Sequence, residues 1–246
     1  MTIFGMTDIG RVRENNQDAF ACGEIRDGGY AVVVCDGMGG YNGGNVASQM
    51  ACDIIFEKLK ADYHGKMEDM TVKNLLLSAV HLGNLKVYEH AQEHTDLAGM
   101  GTTVIAAIAD AEAIHLVHVG DSRAYLYTPP GTVQQLTRDH SLVQTLIEQG
   151  KIAEDERKTH PHRNYITRAV GIEEEVEVDY TYIPFLPGER LLCCTDGLTN
   201  FTDPERIGSI LSKLDDRQAC MQLIEHANAA GGYDNITVVL LSNQGN

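Results

Sequence analysis

The chain has 246 residues, with 35 acidic side chains against 19 Lys and Arg and a formal charge of −16. At 43% apolar and 22% charged it has a globular composition and chain enough for a substantial core, which excludes disorder as its dominant state. So few cations argue against a nucleic-acid binder, because a phosphate backbone needs a Lys/Arg face.

Residues 1–20 carry Asp8, Arg11, Arg13, Glu14 and Asp18 and no apolar stretch, so no signal peptide is expected. No apolar run reaches the ~18 residues of a membrane helix. The longest candidate, 104–119, is broken by Asp110, Glu112 and two histidines. A cytoplasmic protein with no membrane partner is expected. YAVVVC at 30–35 is apolar throughout, the mark of a strand buried on both faces. A Gly-rich turn follows, DGMGG at 36–40 with Gly43 and Gly44 beyond it. A four-residue repeat through Val46, Met50 and Ile54 predicts a helix over 46–60, and Leu75, Leu76, Val80 and Val87 predict another over 71–93.

From 101 to 137 the pattern shortens to strands, TTVIAAIA, AIHLVHVG, RAYLYT and VQQLT, with a hairpin turn at Pro129–Pro130–Gly131. Residues 139–172 are polar, hold His140, His160 and His162, and read as a small insertion with one short helix near 141–150. Strands resume with VEVDYTYIPF and RLLCCT; helices follow over 203–214 and 216–229, and ITVVLL at 236–241 is the last strand. The mixture of hairpin-spaced strands and helix pairs predicts one α+β domain of antiparallel sheets covered by helices. A doubly wound βαβ sheet is the alternative, disfavoured by irregular strand–helix alternation. Six scattered cysteines make no disulfide framework, and Cys35, Cys193 and Cys194 sit in apolar runs as small buried hydrophobes.

Aspartates fall at the strand ends. YAVVVC runs into Asp36, IHLVHVG into Asp121 and RLLCCT into Asp196, while Asp234 stands two residues before ITVVLL. In antiparallel sheets one strand's C-terminal end lies beside its neighbour's N-terminal end, so these carboxylates can gather on one edge. A single strand-end Asp reads as a turn residue. Four together repel one another, and hard divalent cations such as Mg²⁺ or Mn²⁺ relieve that cost. Gly37 permits a sharp turn that exposes its carbonyl to the same ion. A P-loop is rejected, since no GxxxxGK[ST] occurs and the first lysine is Lys58. His115 and His118 alternate along one strand without partnered cysteines and read as structural. Arg13 precedes Asp18 by five residues; alone it is a surface arginine, but beside a two-metal site its fork suits a phosphoester.

These residues resemble the PPM, or protein phosphatase 2C, family of metal-dependent protein phosphatases. Eight ordered pieces carry the likeness: TDIGRVRENNQD at 7–18, VVCDGMGG at 33–40, MGTT at 100–103, HVGDSRAYL at 118–126, LTRDHS at 136–141, TRAVG at 167–171, CTDGLTN at 194–200 and GGYDNITVV at 231–239. DGMGG is the form common in bacterial members. The resemblance implies a sandwich of two antiparallel sheets flanked by helices, in a single domain over 1–246 with 139–172 as a flap bearing on substrate choice. It implies two core Mn²⁺ or Mg²⁺ ions, with Asp36 bridging them, the Gly37 carbonyl completing one and Asp196 and Asp234 binding the other. Asp18 would hold metal-bound water or assist the second ion, Asp121 a third and weaker ion, and Arg13 the substrate phosphate.

The implied reaction is direct attack of a bimetal-bound hydroxide on phosphoserine or phosphothreonine in proteins, with no covalent intermediate. The implied setting is bacterial signalling opposite a Ser/Thr kinase, as a monomer, without nucleic acid. Three departures stand out: Gln17 where a Glu is frequent, Met38 where many eukaryotic members have a His general acid, and Asn200 where many have a second Asp. A phosphatase of small phosphoesters and a non-catalytic phosphoprotein-binding module are the rival readings.

Overall fold

The computed structural model describes residues 1–245, with the side chains at 41 and 42 excepted; residue 246 of the expected domain lies outside the described residues. Its strands are β1 (Thr2–Asp8), β2 (Asp18–Glu24), β3 (Tyr30–Met38), β4 (Gly101–Thr102), β5 (Val104–Ala109), β6 (Ala113–Val119), β7 (Arg123–Thr128), β8 (Thr132–Gln135), β9 (Asp179–Pro184), β10 (Arg190–Cys194) and β11 (Ile236–Ser242). One sheet has the order β1-β11-β10-β7-β8 and the other β2-β3-β5-β6-β9, with β4 paired on β3. Neighbouring strands pair antiparallel throughout.

The long helices α1 (Gly40–Asp62) and α2 (Asp69–Glu93) cover the second sheet. After α3 (Leu142–Glu148) and the single turn α4 (Asp196–Thr199), α5 (Pro204–Leu211) and α6 (Asp216–Ala229) cover the first. Asp203 and Asp215 cap α5 and α6 by accepting from the backbone of Arg206 and Gln218.

Three apolar cores result. β3 shows why its run is unbroken: Ala31, Val33 and Cys35 face α1 and α2, while Val32 and Val34 face the core between the sheets. Leu192, Cys194, Val238 and Leu240 face α5 and α6, and Leu191, Cys193, Val239 and Leu241 face inward. All six cysteines are free thiols, five of them buried.

The expected α+β sandwich is the fold found, with three differences in detail. Strands β1 and β2 precede the first strand read from sequence, because their half-buried mixed composition carries no long apolar run. Helix α1 begins at Gly40 rather than near 46. Its glycines are helical here because the turn must lie against β3: a Cβ on Gly44 would stand 2.8 Å from the Gly37 carbonyl carbon. The turn α4 begins at Asp196, which fixes that carboxylate at a helix start.

Candidate active site at the strand ends

Register brings the first two carboxylates together. Asp18 opens β2 directly opposite Asp36 in β3. The Asp36 backbone is pinned on both sides: its N–H donates to Thr103 Oγ1 at 3.0 Å, and its carbonyl accepts from Thr102 Oγ1 at 2.9 Å and Thr103 N at 2.8 Å. Gly37 N donates to the Gln17 carbonyl at 3.0 Å. A Cβ on Gly37 would fall 2.1 Å from the Gly44 carbonyl oxygen, so only glycine lets β3, α1 and the Gln17 segment meet there.

The other charged groups arrive on turns. Asp121 sits in the turn from β6 to β7, Asp196 where β10 passes into α4, Asp234 just before β11 and Arg13 between β1 and β2. Arg13, Asp36, Gly37, Asp121, Asp196 and Asp234 line one open pocket of about 430 Å³. Asp18 lies buried beneath, where Thr195 and Thr237 donate to its Oδ2 at 2.9 and 2.7 Å. All seven residues predicted for the site, six lining the pocket and Asp18 under it, therefore converge.

Burial and mutual repulsion dominate the electrostatics. Burial, against the hydroxyls of Thr237 and Thr195 and with the charges of Asp196 and Asp234, pushes the Asp18 carboxyl up to about 7. Burial and then Asp196 and Asp139 push Asp121 to about 8. Burial and the Asp234 charge push Asp196 to about 6. Asp36 is raised well above the usual carboxylate range by burial and by Asp18, Asp196, Asp121 and Asp234. Asp18 Oδ1 and Asp121 Oδ1 are buried with no hydrogen-bond partner. Orphaned buried carboxylate oxygens, crowded and lacking nearby cations beyond arginine, fit hard divalent ions with oxygen ligands. Arg13 Nη2 donates to Asp234 Oδ2 at 2.8 Å, which raises its already high pKa and leaves its remaining N–H groups facing solvent.

Several positioning residues escaped the sequence reading. Asn235 Oδ1 accepts from Gln17 N at 2.8 Å, and its Nδ2 donates to the carbonyls of Ile9 and Asn15, each at 3.0 Å. It thereby ties the Arg13 loop to the turn that carries Asp234 into β11. Thr195, just past β10, and Thr237, in β11, are fully buried beside apolar runs. A polar residue at such a position needs a partner, and that was the available signal. The departures also find places: Asn200 Nδ2 donates to Asp196 Oδ2 at 3.0 Å, and Gln17 Nε2 donates to the Gly40 carbonyl at 2.9 Å. His115 Nδ1 pairs with the Tyr180 hydroxyl and His118 Nε2 with the Arg138 carbonyl, each at 2.9 Å, and neither lines the pocket.

Comparison with known proteins identifies the family. The family model described as Protein phosphatase 2C matches residues 10–243. The chain is 39% identical over 236 residues to the serine/threonine phosphatase stp of Listeria welshimeri, covering 96% of this chain and 93% of that protein. The crystal structure of the serine/threonine phosphatase Stp1 from Staphylococcus aureus superposes with a TM-score of 0.92 at 32% identity, covering 99% of this chain and 95% of that one. The catalytic domain of the serine/threonine protein phosphatase PstP, solved in complex with two manganese ions, gives 0.86 at 34% identity, covering 97% and 96%. With this extent of match, the chain belongs to the protein phosphatase 2C family.

Proposed function

We propose that the protein is a Mn²⁺- or Mg²⁺-dependent phosphatase that hydrolyses phosphoserine and phosphothreonine in other proteins. The observation that carries this reading is the convergence of Asp18, Asp36, Asp121, Asp196 and Asp234 beside Arg13, with two buried carboxylate oxygens unpartnered. In it, Asp36, the Gly37 carbonyl, Asp196 and Asp234 hold two core ions, Asp18 assists from below, and Asp121 serves a third, weaker one. When bound, these ions lower the pKa of water and offset phosphoryl charge.

The chain's own groups do the rest. Arg13 grips the phosphate oxygens with the N–H groups that Asp234 leaves unused. Thr102 and Thr103 hold the Asp36 backbone, and Thr195 and Thr237 the Asp18 carboxylate, so little reorganisation accompanies the reaction. Met38, which lines the pocket, has no proton to give, so the departing serine or threonine oxygen takes its proton from water or from another group of the site.

In this reading residues 139–172 are the flap of a single catalytic domain. The protein acts as a cytoplasmic monomer on substrates of a Ser/Thr kinase, without nucleic acid. Among the described residues, no helix is long and apolar enough to cross a membrane.

The test is phosphate release from a phosphothreonine peptide with Mn²⁺, with Mg²⁺ and with chelator, for wild type and Asp196→Ala. Metal-dependent release that the substitution abolishes is the expected outcome. Mn²⁺ binding without turnover would favour the binding-module reading, and higher kcat/KM on small phosphoesters than on phosphopeptides would move the substrate class.

A further inference from the structure

A groove beside the catalytic pocket has an acidic wall that the catalytic chemistry does not use. Its volume is about 430 Å³, and it shares Met38 and Ile166 with the carboxylate pocket, so the two adjoin. Ile166, Ile172, Val176 and Met38 give it apolar surface. Its charged lining is Glu173, Glu175 and Glu177 against Arg168 alone. Arg168 is already committed, to Glu177 Oε2 at 2.7 Å and Asp179 Oδ1 at 2.9 Å. Among the described residues, Glu173 and Glu175 make no ion pair.

The wall is held in place from inside the protein. Asn84 of α2, almost wholly buried, donates through Nδ2 to the carbonyls of Glu173 at 3.0 Å and Glu174 at 2.9 Å. Its Oδ1 accepts from Gly171 N at 2.8 Å. Both amide protons and the carbonyl are thus spent on fixing the backbone that presents the glutamates. Carboxylates beside a phosphate pocket repel an anionic substrate unless the substrate brings cations of its own.

We infer that this groove receives the polypeptide next to the phosphorylated residue and selects substrates with Lys or Arg a few positions away. The apolar surface covers the methylene stems of those side chains while their charged ends reach Glu173 and Glu175. Acidic flanks are repelled by the same wall, so it discriminates in both directions. The inference rests on the phosphatase reading of the adjoining pocket.

The experiment uses the full chain loaded with Mn²⁺ and phosphothreonine peptides of one length with Ala, Lys/Arg or Glu flanks. The expected order of kcat/KM is basic, neutral, acidic, with basic over neutral by roughly three- to tenfold at low salt. Salt at about 0.5 M shrinks that ratio toward one. Glu173→Gln combined with Glu175→Gln abolishes the ratio, while turnover of p-nitrophenyl phosphate, which has no flank, stays at the wild-type level and reports an intact fold. No preference in wild type, or a preference that survives in the double variant, overturns the inference. If neither peptides nor p-nitrophenyl phosphate turn over, the phosphatase reading has failed. Fluorescence anisotropy with the unphosphorylated peptides then judges the groove separately: tighter Lys/Arg binding that the double variant loses sustains it, and equal binding overturns it.

Discussion

The floor of the pocket and its rim are built by different physics. Asp18 and Asp36 stand in register on paired strands, and buried threonines hold one by its carboxylate and the other by its backbone. The rim, residues 138–179, is held at 171–174 by the buried Asn84 and elsewhere largely by charged contacts: Arg138 to Glu148, Arg157 to Asp139 and Glu154, Arg168 to Glu177 and Asp179. Its firmest anchor is the two-pronged bond from Arg123 to Asp139, at 2.8 and 2.6 Å. Isolated bridges Thr102↔Val170 and Ser141↔Ile166 add little ladder. Buried ladder bonds fix position, whereas the exposed pairs Arg138–Glu148, Arg168–Glu177 and Arg168–Asp179 contribute about 0–1 kcal/mol each and are screened by salt; the pairs on Asp139 are mostly buried. In the proposed function the reaction chemistry would thus sit on the ladder-bonded floor, and substrate choice on the rim.

Substitution can break that division. Asp36→Asn is expected to lower kcat/KM most, by about 10³-fold or more, because in the proposed site Asp36 would be a ligand to both core ions and several kcal/mol of charge stabilisation would go with it. Asp121→Asn is expected to cost far less, and equal losses in metal-dependent turnover would break the assignment of roles. Arg13→Ala is expected chiefly to raise KM for a phosphopeptide, by about tenfold, with kcat little changed; an unchanged KM would give Arg13 another role.

Removing metal sharpens the comparison by exposing the floor's own electrostatics. Asp18, Asp121 and Asp196 are held up to about 7, 8 and 6 by burial and neighbouring charge, above the ~4 of an unfolded Asp. Between those limits the folded chain binds more protons than the unfolded one, so stability falls as pH rises from about 4 to 8. Thermal unfolding with chelator is expected to show that fall, each kcal/mol lowering Tm by about 2–4 °C, and saturating Mn²⁺ is expected to flatten it. A metal-free Tm flat across the window would mean the carboxylates are less crowded than the fold implies. The smallest effect belongs to the rim: Asn84→Ala is expected to weaken flank discrimination while leaving p-nitrophenyl phosphate turnover within about twofold, since only the loop backbone loses its partner.

Much of the floor was legible in the sequence because an Asp after an apolar run is a local signal. Asp36, Asp121 and Asp196 each announce a strand end, and the eight ordered motifs fix the family. Asp18 was placed only by resemblance, since its position opposite Asp36 depends on a register that spans the β2–β3 turn. Asn235, Thr195 and Thr237 act across the chain, on partners up to 226 residues away, and no local pattern reports that. The start of α1 was misplaced because glycine normally marks a turn, whereas here its lack of a side chain serves close packing against β3. The groove was invisible for a similar reason: Asn84 and Glu173 lie 89 residues apart.

Strand β11 is not an edge strand; it lies between β1 and β10. During synthesis, residues 236–242 must clear the ribosome before β1 and β10 have anything to pair with across that gap. Until then Asp18 lacks the Thr237 hydroxyl, and the Arg13 loop lacks Asn235. The segment 234–237 is therefore a keystone: without it the Asp18 floor and the Arg13 loop lose their common tie.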